Sequence, residues 1–242
     1  MSTPRKTPLI GIIGGMGTQA TAYFYEVLYK KQSVTVEQEL FDALVYSIPS
    51  APDRTAFITG KTQANPYKSI VHAAKTLENA GASLLTLLCV TAHFFYDDLK
   101  SSVSIPLLNI PEETALCAAK RSISKVGLLA TDGALKGKVF HTAFEKRGIE
   151  IIIPSPALQS ELMTLIYDIK LGSAVPPLPL DTIVQELQTS GVELIILGCT
   201  DLCISGMENP DHINVLDLLA DAVLVHSGAI AAPALFESGD YL

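Results

Sequence analysis

The sequence predicts an α/β protein of two similar domains, each a mainly parallel sheet flanked by helices. Strand-like apolar runs alternate with segments of helical period along most of the chain, the pattern of a parallel sheet covered on both faces. The layout then restarts after "SISK" at residues 122–125. In each half a third strand ends in a cysteine closely followed by threonine, Cys89 with Thr91 and Cys199 with Thr200, almost half the chain apart. Such spacing suggests an old duplication.

The first segment, "PLIGIIGGMGTQATAYFYEVLYKKQ", reads as a buried strand at 8–13, a Gly-rich turn, and a helix from Thr18 to Lys31. Ala20, Phe24, Val27 and Leu28 repeat with a helical period, and Thr18 suits the N-cap. A strand follows at 42–48, a Pro-containing loop at 49–60, a helix at 65–80 and a strand at 83–89. A helix at 94–100, a short strand at 105–110 and a helix at 111–122 complete the first half. The second half reads as strand 125–131, helix 134–147, strand 149–154 and helix 157–171. After these come a Pro-rich loop at 173–180, helix 181–190 and strand 193–200. The expected division assigns 1–115 with 213–242 to one domain and 116–212 to the other, with one thiol of the pair in each.

With 48% apolar residues over 242 positions, the chain has enough apolar material for one large core or two smaller ones. The formal charge is −8, from 17 basic and 25 acidic residues, and the pI is about 5.1. No basic run exceeds "RK" or "KR", so neither nucleic acid nor an anionic membrane is an expected partner. No apolar run reaches the roughly 18 residues of a membrane span, and the N-terminus lacks the apolar core of a signal peptide. The expected location is the cytoplasm. Four cysteines, at 89, 117, 199 and 203, are too few for a disulfide framework and lack zinc-site spacing. Reduced thiols and no metal are expected.

The glycines of "GIIGGMG" fall at 11, 14, 15 and 17, which is not the Gly-x-Gly-x-x-Gly of a dinucleotide site. The second strand also ends in Ser47 with no acidic residue placed for a ribose, which argues against NAD or FAD. A small-anion site, in which turn amides hold a carboxylate, fits better, with a ligand-free tight turn as the alternative.

In open α/β sheets the chemistry gathers beyond the carboxyl ends of the strands, where Cys89 and Cys199 fall. Cys117, on an apolar stripe with Ala115 and Ala118, reads as packing, as does Cys203. Two thiols facing one cleft suit inversion of a carbon centre, which needs a base on one face and an acid on the other. A thiol pKa of about 8.5, tuned by neighbours, makes both protonation states accessible near neutrality. His93, Thr91, Thr200 and Asp201 are the candidate tuning groups.

The blocks "GIIGGMGTQAT", "LLCVTAHFFYDDL", "KVGLLATDGALKGKVFHTAFEKRGIEIIIP", "LIYDIKLG" and "LGCTDL" together resemble, in order, the aspartate/glutamate racemases that work without pyridoxal phosphate. The resemblance runs from about residue 9 to 220. It implies an active site in the cleft between two α/β domains, Cys89 and Cys199 as the catalytic pair, no cofactor, and a homodimer acting on a small amino acid. It also implies substrate contacts at Met16, Ser47, Arg54, Thr91, Thr131, Lys170 and Thr200. An Arg54 fork and a Lys170 point charge suit a dicarboxylic amino acid.

Three positions depart from the family pattern. The usual Cys-Asn-Thr is Cys89-Val90-Thr91, the usual Pro before that cysteine is Leu88, and the usual Gly-Cys-Thr-Glu ends in Asp201. Val90 removes an amide that would meet polar groups of the substrate. The alternatives are a racemase of another amino acid, an enzyme like maleate isomerase or arylmalonate decarboxylase, or a small-molecule binder without turnover.

Overall fold

The computed structural model describes residues 8–173, 177–205 and 209–228. The first half contains β1 (Leu9–Gly14), α1 (Thr18–Lys30), β2 (Asp42–Ser47), α2 (Arg54–Thr59), α3 (Tyr67–Asn79), β3 (Leu84–Leu87), α4 (Tyr96–Ser101) and α5 (Ile110–Lys120). The second contains β4 (Lys125–Leu129), α6 (Asp132–Lys136), α7 (His141–Glu145), β5 (Glu150–Ile152), α8 (Pro156–Lys170), α9 (Pro177–Thr189) and β6 (Leu194–Leu197). A short β7 (His212–Asn214) and α10 (Val215–His226) follow.

Among the described residues every strand pairing is parallel. One sheet has the order β2-β1-β3 and the other β5-β4-β6-β7, so each places its second, first and third strands alike. The central strands are buried on both faces and read as continuous apolar runs, such as "LIIL" in β6. Helix α5 runs across residue 115, where the sequence reading divides the chain. β7 extends the second sheet, and α10 then turns back to pack on α1 and α5. Among the described residues no helix is long and apolar enough to cross a membrane.

Several sequence expectations are corrected. Thr18 is the first helical residue of α1 and the N-cap is Gly17, which has no side chain to cap with. Instead Thr21 fastens the turn, accepting from Gly15 N at 2.9 Å and donating to Gly17 O at 2.8 Å. The loop expected at 49–60 holds α2, because Asp53 caps it by accepting from Ala56 N at 2.6 Å and Gly60 ends it at φ +83°.

The helix expected at 134–147 is split into α6 and α7, because the chain turns between them and Lys138 takes a left-handed φ of 53°. Residues Val90–Phe95 form a 3-10 turn before α4 begins, and the strand expected at 105–110 reduces to one bridge, Leu85 to Leu107. Helix α9 begins at Pro177, inside the loop expected at 173–180, as a proline in the first turn sacrifices no hydrogen bond. Residues 174–176 of that loop lie outside the described residues.

Strand alternation sorts the residues around the first thiol. Leu88 and Val90 pack into the larger core with Phe24, Phe140 and Phe144. Leu87 and Cys89 side instead with Ile13 and Met16. Side-chain contacts that cross between the halves include Thr91 with Thr131, Lys136 Nζ with Thr59 O, Tyr167 with Asp53, and Glu112 with Lys146 and Arg147.

The Gly-rich turn is the tightest point of the fold. Gly15 has φ +86°, and a Cβ there would collide with Ile48 N and come 2.7 Å from Ser47 Oγ. Gly15→Ala is expected to lower unfolding stability by about 1 to 3 kcal/mol, measured by urea titration.

Candidate active site

Parallel pairing brings the carboxyl ends of each sheet's strands to one edge, and the expected site residues follow from it. β1 runs into the turn holding Met16, β2 ends at Ser47, and Cys89 stands two residues beyond β3. In the second half Thr131 lies two residues past β4 and Cys199 two past β6. Both thiols are buried, at 4% and 5% exposure.

Arg54, the first residue of α2, is buried beneath the turn. Its Nη1 donates to Ala51 O at 3.2 Å and Pro52 O at 3.1 Å, and its Nη2 to Met16 O at 3.4 Å. Burial works against its charge, but Cys89, Asp53 and Asp201 act the other way and hold the guanidinium above its ordinary pKa. Lys170 closes α8, and its Nζ lies 3.5 Å from Asp201 Oδ2 and 5.5 Å from the centre of the Tyr167 ring. Burial opposes its charge too, yet Cys199, Asp201 and Cys89 raise its pKa overall.

Asp201 is 1% exposed. Its Oδ2 accepts from Cys199 Sγ at 3.6 Å, and its Oδ1 rests where a side chain at Gly17 would begin. A glycine is therefore required at 17 for Asp201 to reach the turn. Burial pushes the Cys199 thiol well above its ordinary pKa, and the Asp201 charge pushes it further.

Thr91 and Thr131 share a hydrogen bond of 2.8 Å across the halves, and Thr131 also caps α6 by accepting from Ala134 N at 3.1 Å. Thr200 is 2% exposed and Ser47 is exposed.

His93 contacts the Cys89 backbone rather than its sulphur. Its Nε2 accepts from Ile110 N at 3.3 Å, so Nδ1 carries the proton and donates to Cys89 O at 3.0 Å. Burial pushes this imidazole down to about 4, a neutral clamp that fixes the chain at Cys89. The other two thiols are packing residues. Cys203 donates to the carbonyls of Leu197 and Cys199 at 3.6 Å each and burial pushes it up to about 12, while burial also raises Cys117. Both border a cavity of about 540 Å³ that includes none of the expected site residues.

Sequence reasoning missed Asp53 and Tyr167. Tyr167 Oη donates to Asp53 Oδ2 at 3.1 Å, joining the end of α8 to the start of α2 beside both cations. The signal available was local: Asp53 stands directly before Arg54 at a helix start, where an acidic cap belongs. Nothing in the sequence pairs it with residue 167.

A family model described as Asp/Glu/Hydantoin racemase matches residues 13–232. The chain belongs to the Asp/Glu/Hydantoin racemase family. Within that family it resembles the broad specificity amino-acid racemase RacX of Bacillus subtilis. The two are 26% identical over 202 residues, covering 80% of this chain and 86% of RacX. The fold matches that of Picrophilus torridus aspartate racemase with a TM-score of 0.82 at 24% identity, covering 91% of this chain and 94% of the other. An aspartate racemase homologue from Pyrococcus horikoshii OT3 superposes with a TM-score of 0.72 at 25% identity, covering 93% and 100%.

His93 makes a pH prediction for this racemase-family fold. Its folded pKa of about 4 lies below the ordinary 6.5, so the unfolded chain binds a proton first as pH falls. The stability from a neutral His93 is complete above 6.5 and drains away between 6.5 and about 4. The full effect is about 3 kcal/mol. Urea titrations across that window are expected to show the loss, and His93→Asn to flatten it from a lower starting stability.

Proposed function

We propose that the chain interconverts the L and D forms of an amino acid, without pyridoxal phosphate, by two-base proton transfer between Cys89 and Cys199. The observation that carries this is the pairing of the thiols. They end equivalent strands of two equivalent sheets, and one lysine, Lys170, acts electrostatically on both. A packing role asks for neither equivalence nor a shared cation.

In this mechanism one thiolate removes the α-proton from one face, and its sulphur gains the S–H bond while the C–H pair stays on carbon. The opposite thiol delivers its proton to the other face and keeps the bonding pair on sulphur. The substrate carboxylate rests on the amides of the Met16 turn and on the hydroxyls of Thr91, Thr131 and Thr200. These groups stabilise the charge that develops as the proton leaves. Ser47 lines the turn, while His93 and Asp201 set the geometry and charge around the two sulphurs.

We take the substrate to be an acidic amino acid, aspartate or glutamate. Buried Arg54 and half-buried Lys170 support this, since a second carboxylate needs cations largely out of water. The aspartate racemase of Picrophilus torridus shares the fold. A broader amino acid range is the second reading: Val90 turns into the core and offers no amide to the substrate, and the Bacillus subtilis relative is named for broad specificity. A cytoplasmic homodimer completes the proposal, with the substrate held between a unit of 1–115 plus 213–242 and a unit of 116–212.

The test is incubation with a panel of L and D amino acids in deuterium oxide, following α-proton exchange by NMR. Exchange and racemisation are expected with aspartate or glutamate and no added cofactor. Cys89→Ala and Cys199→Ala are each expected to lose about 100- to 10,000-fold in racemisation rate, the range that general acid–base groups supply. Wild-type rates in both variants would overturn the proposal, and carbon dioxide release in place of exchange would favour decarboxylation.

A further inference from the structure

We propose that the cavity between α5, α10 and the β7 edge of the second sheet is a second binding site, for a free amino acid with a large apolar side chain. Its volume of about 540 Å³ falls in the range of sites that hold small organic ligands. Neither Cys89 nor Cys199 borders it. The walls come from both halves of the chain, with Cys117 and Arg121 of α5 on one side and Cys203 and β7 on the other.

The chemistry of the walls selects the ligand. Cys117 and Arg121 stand one helical turn apart on α5, the first buried and the second exposed, so this wall runs from an apolar floor to a guanidinium at the rim. Asp217 and Asp221 stand one turn apart on α10, with buried Leu218 beside them. Cys203 and Ile213 are buried too and complete the floor. Asp221 shares its charge with Lys31 Nζ at 2.8 Å. An anion alone would meet the two carboxylates, and a cation alone would meet Arg121. A zwitterion satisfies both walls: its carboxylate takes the guanidinium fork, its ammonium faces α10, and its side chain covers the floor.

A ligand in this cavity bears on the backbone that carries Cys199. Cys203 Sγ donates to Leu197 O and to Cys199 O at 3.6 Å each. Asn214, also on the wall, donates from Nδ2 to Cys203 O at 3.1 Å, and its Oδ1 caps α10 by accepting from Leu216 N and Asp217 N at 3.0 and 3.2 Å. One short chain of contacts thus joins the cavity wall, the start of α10 and the Cys199 turn. Helix α10 packs on α1 and α5, so an occupant wedged beside it also acts on how the halves meet. The occupant is therefore an effector that alters turnover without touching the reacting atoms. This kinetic part rests on the racemase reading, whereas the binding does not.

Calorimetric titration of the intact protein with phenylalanine and leucine tests the site. Both are expected to bind and to raise the unfolding midpoint as their concentration rises. Phenylethylamine, which lacks the carboxylate, and 3-phenylpropionate, which lacks the ammonium, are each expected to bind about tenfold more weakly or worse. Arg121→Ala is an exposed change, and Asp217→Asn keeps the shape while removing the charge. Each is expected to weaken phenylalanine binding by a similar factor while leaving α-proton exchange without effector unchanged. Excess aspartate is expected not to displace phenylalanine. Phenylalanine is expected to change the aspartate racemisation rate about twofold or more in the wild type and not in Arg121→Ala, a shift within the usual range of allosteric coupling.

No binding of either amino acid at about 10 mM, or binding that both variants leave intact, would overturn the site. Equal binding of phenylethylamine would overturn the assignment of a zwitterion. Binding that leaves racemisation unchanged would overturn the effector role. Binding with the expected variant pattern, in a protein that exchanges no α-proton of any amino acid, would support the site and overturn the racemase reading alone.

Discussion

The parallel pairing of every strand is the constraint from which the site follows. A parallel strand delivers its carboxyl end to the same edge as its neighbours, so residues far apart in sequence must meet there. Met16, Ser47 and Cys89 come together because β1, β2 and β3 share one direction, and Thr131 and Cys199 because β4 and β6 share another. The hydrogen bond between Thr91 and Thr131 joins these two edges directly. The repeated strand order makes the thiols equivalent, and equivalence is what a two-sided proton transfer requires.

Equivalence in the backbone is then broken by charge. Burying Arg54 and Asp201 beside the half-buried Lys170 costs solvation for each, and the arrangement holds because each of them finds partners. Arg54 meets three carbonyls, while Lys170 and Asp201 face each other across 3.5 Å. These partners fall unevenly, with the Asp201 carboxylate at Cys199. A symmetric fold therefore holds an asymmetric pair.

Much of this was legible from residue order. The alternation of apolar runs with helical periods located β1, α1, β2, α3, β3, β4, α8 and β6, because long segments with one dominant period leave little choice of structure. The two cysteines past matched strands were visible for the same reason. Short elements were not: α2 spans six residues and β7 three, too few for a period to register. The apolar period of 134–147 runs through the break between α6 and α7, which depends on a left-handed Lys138 rather than on composition.

Residue order alone determined the α/β class, the duplicated layout and the thiols at strand ends, since each depends on local periodicity and on where a strand must stop. Contacts between distant residues were decided only by packing. Nothing local makes His93 accept from the amide of Ile110, ties Tyr167 to Asp53, or seats Asp201 on Gly17. Charge and hydrogen bonding act over a few ångströms of space, and only the folded chain sets which side chains come that close.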